Sequence, residues 1–260
     1  MKILQTIVKE KQRELEVFKS RTDKQDLLIE ISKQINHVSI ADHISNKQTA
    51  IIAEHKIKSP SKSRIASDNI SVKDIARQYE DSGAAAMSVL TDQTFFGGSK
   101  EDLIQARSEI NIPILRKEFI IDPIQIYETK ALGANVILLI AKILDKKFIE
   151  DAVALSHELG LEVLLEIHDE DDLSKLSKEV DLIGVNNRDL RSFNVDFNHS
   201  IRLYPKLPDS TIKISESGIS DPTTIKLLKE CGFDGFLIGE HLMKSDNPGG
   251  QLSKLIKESN

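Results

Sequence analysis

Residues 134–167 read ANVILLIAKILDKKFIEDAVALSHELGLEVLLEI. Two apolar runs, Ala134–Ile140 and Leu161–Ile167, flank a segment with a different period. Asp145 is placed to cap a helix, Phe148, Ile149, Ala152, Leu155 and Leu159 recur on one helical face, and Gly160 stops it. VILLI and VLLEI are apolar on both faces, as parallel strands covered by helices must be. The stretch is one strand–helix–strand unit, and working outward the unit recurs. Further strands are expected at Ala50–Lys56, Ala84–Leu90, Ile112–Lys117, Val180–Asn186, Thr211–Ser217 and Asp234–Gly239. Eight units at intervals of about 20 to 35 residues suit a closed (β/α)8 barrel. An open doubly wound sheet is the competing architecture, but no G-x-G-x-x-G turn follows the first strand.

The other helices carry their own punctuation. Ser71 caps a stripe of Val72, Ile75, Ala76 and Tyr79 that ends at Gly83. Asp122–Pro123 opens a helix that stops at Gly133, and Asp169 opens another with Leu173 and Leu176 toward the sheet. Residues 1–49 lie outside the repeat and form a helical N-terminal extension to a single 1–260 barrel domain. Ile3, Leu4, Ile7, Val8, Leu15 and Phe18 read as one amphipathic helix, and a second spans about Leu27–Ile35. Such an extension could lid one end of the barrel, contribute to the substrate site or mediate association.

A formal net charge of −6 gives no support to a nucleic-acid or acidic-membrane partner. The charged N-terminus is no signal peptide, and Val136–Ala141 is too short to span a bilayer, so the expected setting is cytoplasmic. One cysteine, Cys231, excludes an intrachain disulfide and reads as a small buried apolar residue. No histidine spacing suits a metal, and neither metal nor cofactor is expected. Nothing in the sequence fixes the oligomeric state; a monomer is plausible.

In a parallel barrel, chemistry sits where the strands end. Those ends carry Glu54 and Lys56, Lys117, Glu166, Asn186 with Arg188, Glu216 and Gly239. Glu54 shares a strand face with Lys56, Glu166 with Leu164, and Glu216 with Ile214. If the apolar partners fill the barrel, the charged ones line its mouth. The alternative is a ring of structural ion pairs, but so many charges at one end favour a proton-transfer site. Ser217–Gly218 and Gly239 fall where barrels commonly hold phosphate, with Lys58 and Ser59 in the first loop as further candidates. His55 should point outward between Glu54 and Lys56; His168 and His241 are read as peripheral.

IIAEHKIKSPS, VLTDQTFFGGS, ILRKEFIIDPIQIYE, VILLIAKIL, EVLLEIHDEDDL, IGVNNRDL, KISESGI and FLIGEHLM resemble, in order and spacing, the motifs of the indole-3-glycerol phosphate synthase family. The resemblance covers about residues 50 to 245, and a helical extension before the barrel is also similar to the family's. It implies a phosphosugar substrate, 1-(2-carboxyphenylamino)-1-deoxyribulose 5-phosphate. Ring closure, decarboxylation and dehydration would yield indole-3-glycerol phosphate, with no cofactor. Lys117 then looks like the general acid for ring closure, and Glu166 like the acid–base group for loss of the hydroxyl. Lys56 is similar to the lysine that engages the substrate carboxylate, with Glu54 tuning the lysines. Glu216 and Asn186 would orient sugar hydroxyls, and Arg188 would face an anion or steady its loop. Ser59, Ser217, Gly218, Gly239 and the backbone of Glu240 resemble a phosphate cradle, and Phe96 and Phe119 an aromatic wall. Two departures stand out: Ser63–Arg64 where the family has a glycine, and His241 where it has a small residue. A phosphoribosylanthranilate isomerase, a Schiff-base aldolase or an inactive binding barrel are the alternatives. The first would need a cysteine and an aspartate at strand ends, and Cys231 is misplaced for that.

Overall fold

A computed structural model describes residues 2–34, 38–60, 65, 71–189 and 192–260. Eight parallel strands pair in chain order and close on themselves: β1 Ala50–His55, β2 Ala86–Leu90, β3 Ile114–Lys117, β4 Val136–Ile140, β5 Glu162–Ile167, β6 Leu182–Asn186, β7 Ile212–Glu216 and β8 Gly235–Ile238. The expected (β/α)8 barrel is the observed one. Closure is read in the register, with Ile52 opposite Ala86 on one side and Leu237 on the other.

Several strands begin about two residues later than the apolar runs suggest. Those residues close the preceding helix: Ala84 N donates to Tyr79 O (3.0 Å), Ala134 N to Thr129 O (3.3 Å) and Leu161 N to Ser156 O (2.8 Å). Hydrophobicity is the same in the turn and in the strand, so pattern alone cannot divide them.

The helices are α1 Lys2–Lys19, α2 Lys24–Ser32, α3 Ile40–Ser45, α4 Val72–Asp81, α5 Gln93–Phe96, α6 Lys100–Arg107, α7 Ile124–Ala131, α8 Lys146–Glu158, α9 Asn198–Leu203, α10 Pro222–Cys231, α11 Glu240–Met243 and α12 Pro248–Ser259. Ser71 and Asp145 cap α4 and α8 through Asp74 N and Phe148 N, as read. Three expectations change. Asp169 opens a 3-10 turn, Glu170–Lys175, rather than an α-helix, because the Asp172 carboxylate turns back onto His168 N (2.9 Å). Pro123 itself occupies the cap position of α7, with Asp122 Oδ1 accepting from Ile124 N (3.0 Å). Cys231 is only partly buried, against the outer apolar layer. The second N-terminal helix ends at Ser32, and Ile35 lies outside the described residues.

Strand alternation divides the core in two. Ile51, Val89, Leu139, Leu165, Val185 and Phe236 pack outward under the helices. Ile52, Leu115, Leu138, Leu164, Leu182, Ile214 and Leu237 fill the barrel. His55 is buried, with Asp102 of α6 among its charged neighbours.

The extension serves both ends of this inner core. Ile40 and Ile44 of α3 join it from the side where β5 begins. There the Glu162 carboxylate accepts from Ser39 Oγ (2.9 Å), Ile40 N (2.5 Å) and Ala41 N (3.3 Å). Leu4 and Ile7 of α1 join it from the other side, beside Phe119 and Ile140. Lys11 holds α1 in place: its buried ammonium lies 3.0 Å from Glu118, 3.3 Å from Asp92 and 2.6 Å from Glu14. Burial alone would depress the Lys11 pKa, but these carboxylates reverse the shift and raise it. Breaking a buried ion pair strands its partners without a counter-charge. Lys11→Met should therefore lower stability by about 3 kcal/mol in urea unfolding. A midpoint equal to the wild type's would show that α1 is held by apolar contact alone.

Candidate active site

A cavity of about 450 Å³ opens where the strands end. Its wall includes Glu54, Lys56, Ser59, Phe96, Lys117, Phe119, Glu166, Asn186, Arg188, Glu216, Ser217, Gly218, Gly239 and Glu240, but not Lys58, whose Nζ donates to Thr94 O (3.0 Å) instead. Ser63 and Arg64 lie outside the described residues. His241 also lines the wall, with Nε2 2.6 Å from Gln251 Nε2. Among the described residues no group of three His, Cys, Asp or Glu side chains is arranged to hold a metal, and no helix is long and apolar enough to cross a membrane.

Lys117 stands at the centre. Carried inward at the end of β3, its ammonium donates to Glu166 Oε2 of β5 (2.9 Å) and Glu216 Oε2 of β7 (2.5 Å). Burial alone would depress its pKa; the charges of Glu166, Glu216 and Glu54 outweigh this and raise it. Lys117 is therefore a cation in the resting site. Lys56 forms a second pair, with Nζ 2.6 Å from Glu54 Oε1.

The two carboxylates around Lys117 differ. Glu166 Oε1 accepts from Asn186 Nδ2 (3.1 Å) and lies 3.2 Å from His168 Nε2. Burial would raise its pKa, but the charge of Lys117, assisted by His168 and the bonds from Lys117 and Asn186, holds it at about 2. Glu216 has the shorter contact to Lys117, yet its pKa is pushed up to about 7, by burial and by the neighbouring charges of Glu166 and Glu54. Its Oε1 has no hydrogen-bond partner among the described residues. One cation is shared between two buried carboxylates, and the one with the further polar neighbours, Asn186 and His168, keeps the charge.

Glycines make room for these side chains. A Cβ at Gly184 of β6 would stand 2.0 Å from Glu216 Oε1, and one at Gly239 would stand 2.6 Å from Glu54 Oε1. Gly239 is thus required by Glu54, a reason the phosphate reading did not contain. Gly218 is fixed twice, by φ +77° and by Val195, whose Cγ1 would lie 2.0 Å from an added Cβ. Ser217 before it also has positive φ (+70°), which is uncommon for a residue with a side chain. Arg188 bonds Phe193 O through Nη1 (3.2 Å), with Nη2 3.8 Å from Glu240 Oε2, while its N–H donates to Asn186 Oδ1 (2.9 Å).

One side of the cavity is apolar. Phe96 and Phe119 pack with ring centroids 5.9 Å apart, and Ile3, Leu4 and Ile7 of α1 extend the wall. The stripe on α1 was visible in the sequence, but nothing there says which surface it covers. Gly184 had a signal, a glycine inside an apolar strand, which marks a close approach.

A family model described as indole-3-glycerol phosphate synthase matches residues 4–255. The indole-3-glycerol phosphate synthase of Bacteroides thetaiotaomicron is 41% identical over 255 residues, covering 98% of each chain. That of Salinibacter ruber is 43% identical over 223 residues, covering 85% of this chain and 82% of its own. Among solved structures, tryptophan synthase subunit alpha from Legionella pneumophila aligns with a TM-score of 0.60 over 85% of this chain and 97% of its own. At 13% identity that likeness concerns the fold alone.

Proposed function

The chain belongs to the indole-3-glycerol phosphate synthase family, and on that premise we propose how its cavity turns 1-(2-carboxyphenylamino)-1-deoxyribulose 5-phosphate into indole-3-glycerol phosphate. The observation that carries the reading is Lys117, a partly buried ammonium held between two buried carboxylates beside an aromatic wall. Lys117 donates a proton to the ketone oxygen while the ring carbon bearing the carboxylate attacks the ketone carbon. The carboxylate leaves as carbon dioxide, and its bonding pair restores the aromatic ring. Loss of the new hydroxyl as water, with a proton from the adjacent carbon, completes the indole. Glu166 serves this dehydration, being ionised at rest and able to take a proton. The steps balance without an oxidant or reductant.

Lys56 engages the substrate carboxylate, and Glu54 holds it in position. Glu216 and Asn186 receive sugar hydroxyls; the unpartnered Oε1 of Glu216 supports this, as a buried acceptor that a hydroxyl would satisfy. Ser59, Ser217, Gly218, Gly239 and the backbone of Glu240 surround the phosphate with Arg188 nearby, and Phe96 and Phe119 take the anthranilate ring. The charge state of Lys117 disfavours a Schiff-base aldolase built on that lysine, since Schiff-base formation needs a neutral amine.

The test is the growth of indole fluorescence when the purified chain meets the anilino substrate. No product under conditions in which the Bacteroides thetaiotaomicron relative turns over would overturn the proposal, and a lysine adduct trapped by borohydride would point to an aldolase. Gly184→Ala offers a finer check. The new methyl would drive the Glu216 carboxylate away from Lys117. Turnover should fall about 10- to 100-fold with the fold intact, because an ångström of displacement suffices for that. Wild-type turnover in this variant would show that Glu216 has freedom to spare.

A further inference from the structure

Resting on the proposed acid–base role of Glu166, we infer that His168 is a positioning residue for that carboxylate, donating its Nε2–H to Glu166 Oε1 when Lys117 turns to the substrate. His168 follows β5 and lines the cavity, and its side chain is only 7% exposed. Its Nε2 lies 3.2 Å from Glu166 Oε1, yet neither ring nitrogen makes a hydrogen bond among the described residues. Buried donors without partners are costly and uncommon, and one poised beside an acid–base group calls for a role.

The backbone here is tied from two directions. His168 N donates to Asp172 Oδ2 (2.9 Å), and His199 donates its Nε2–H to His168 O (2.6 Å). The base of the side chain is thus held while the tip of the ring is unbonded, so a small rotation converts the contact into a bond. In the resting site Glu166 has Lys117 on one oxygen and Asn186 on the other. Once Lys117 has given its proton to the ketone it is a neutral amine, and the charge opposite Glu166 is gone. The imidazole N–H then stands ready to replace it.

The charged groups facing the ring are Glu166 on β5, Asp172 on the 3-10 turn, Lys142 in the loop after β4 and Lys117 on β3. Burial, helped by the two lysines and opposed by the two carboxylates, pushes the ring below an ordinary histidine. It is therefore a neutral donor and takes no charge from the carboxylate it supports.

The test compares His168→Phe, which keeps the volume and removes the donor, with His168→Gln, which restores an N–H at similar reach. His168→Phe should lower kcat about 10- to 100-fold with little change in KM, the loss expected for a hydrogen bond to a charged group. It should also move the acidic limb of the kcat profile upward by about half a pH unit or more, because in the substrate complex Glu166 loses a donor to its charged form. His168→Gln should recover most of the turnover. A wild-type pH profile and kcat in the phenylalanine variant, or equal losses in both variants, would overturn the inference. A readout that needs no substrate is the imidazole nitrogen spectrum of the resting protein, assigned by its absence in His168→Phe. A neutral Nε2–H tautomer is expected, and an Nδ1–H tautomer rules the donation out. An inactive wild-type chain would instead count against the proposed reaction, leaving that spectrum to judge His168 by itself.

Discussion

Lys117→Ala should abolish nearly all turnover, lowering kcat by about three orders of magnitude while KM changes little. The proton donor acts mainly in the transition state, so its loss is felt in kcat, and general acid catalysis accounts for about 10²- to 10⁴-fold. Carbon dioxide and indole-3-glycerol phosphate should fall together, because the ring closure proposed for Lys117 precedes both. Steady-state assays of the two products check this; turnover within tenfold of the wild type would remove Lys117 from the centre of the reaction. The variant should also respond differently to pH. In the wild type Glu166, held at about 2, contributes stability that is present above its unfolded pKa and lost as pH falls toward 2. Glu216, pushed up to about 7, works in the opposite sense, its destabilising share growing as pH rises to 7. Without Lys117 both carboxyls are raised by burial, so the stability gap to the wild type should widen from pH 5 to pH 8.

Glu166→Gln should be nearly as damaging but should divide the products. The amide preserves shape and can still accept from Lys117, yet it takes up no proton. A loss of about 10²- to 10⁴-fold in indole formation is expected. If Glu166 serves dehydration, carbon dioxide should outrun indole-3-glycerol phosphate in a single turnover, as the ring-closed and decarboxylated species accumulates. Equal slowing of both products would move Glu166 to the ring-closure step.

Much of this site is legible in the sequence because two periodicities coincide. The period of two in each strand puts Glu54, Glu166 and Glu216 on the face shared with Ile52, Leu164 and Ile214. The larger strand–helix period then places all their ends on one rim. What stayed hidden depended on contacts between segments remote in sequence. The Gly184–Glu216 fit follows from the register of β6 on β7 and the Gly239–Glu54 fit from closure of β8 onto β1, and α1 gives no sign of what lies beneath its stripe. The 3-10 turn at Asp169 was missed because a carboxylate three residues on competes for the backbone there, a side-chain choice that hydrophobic pattern does not encode.

The placement of the extension also bears on how the chain assembles. The partners of α1 and α3 are far along the chain: Lys19 meets Asp122, 103 residues away, and Ser39 meets Glu162, 123 residues away. Closing such long loops carries an entropic cost that contacts repay only once strands β3 to β5 are in register. The helices that come first in sequence are therefore among the last to dock. Late in refolding their amides should still exchange with solvent while those of the strands are already protected, and the apolar side of the cavity gains Ile3, Leu4 and Ile7 only when α1 settles.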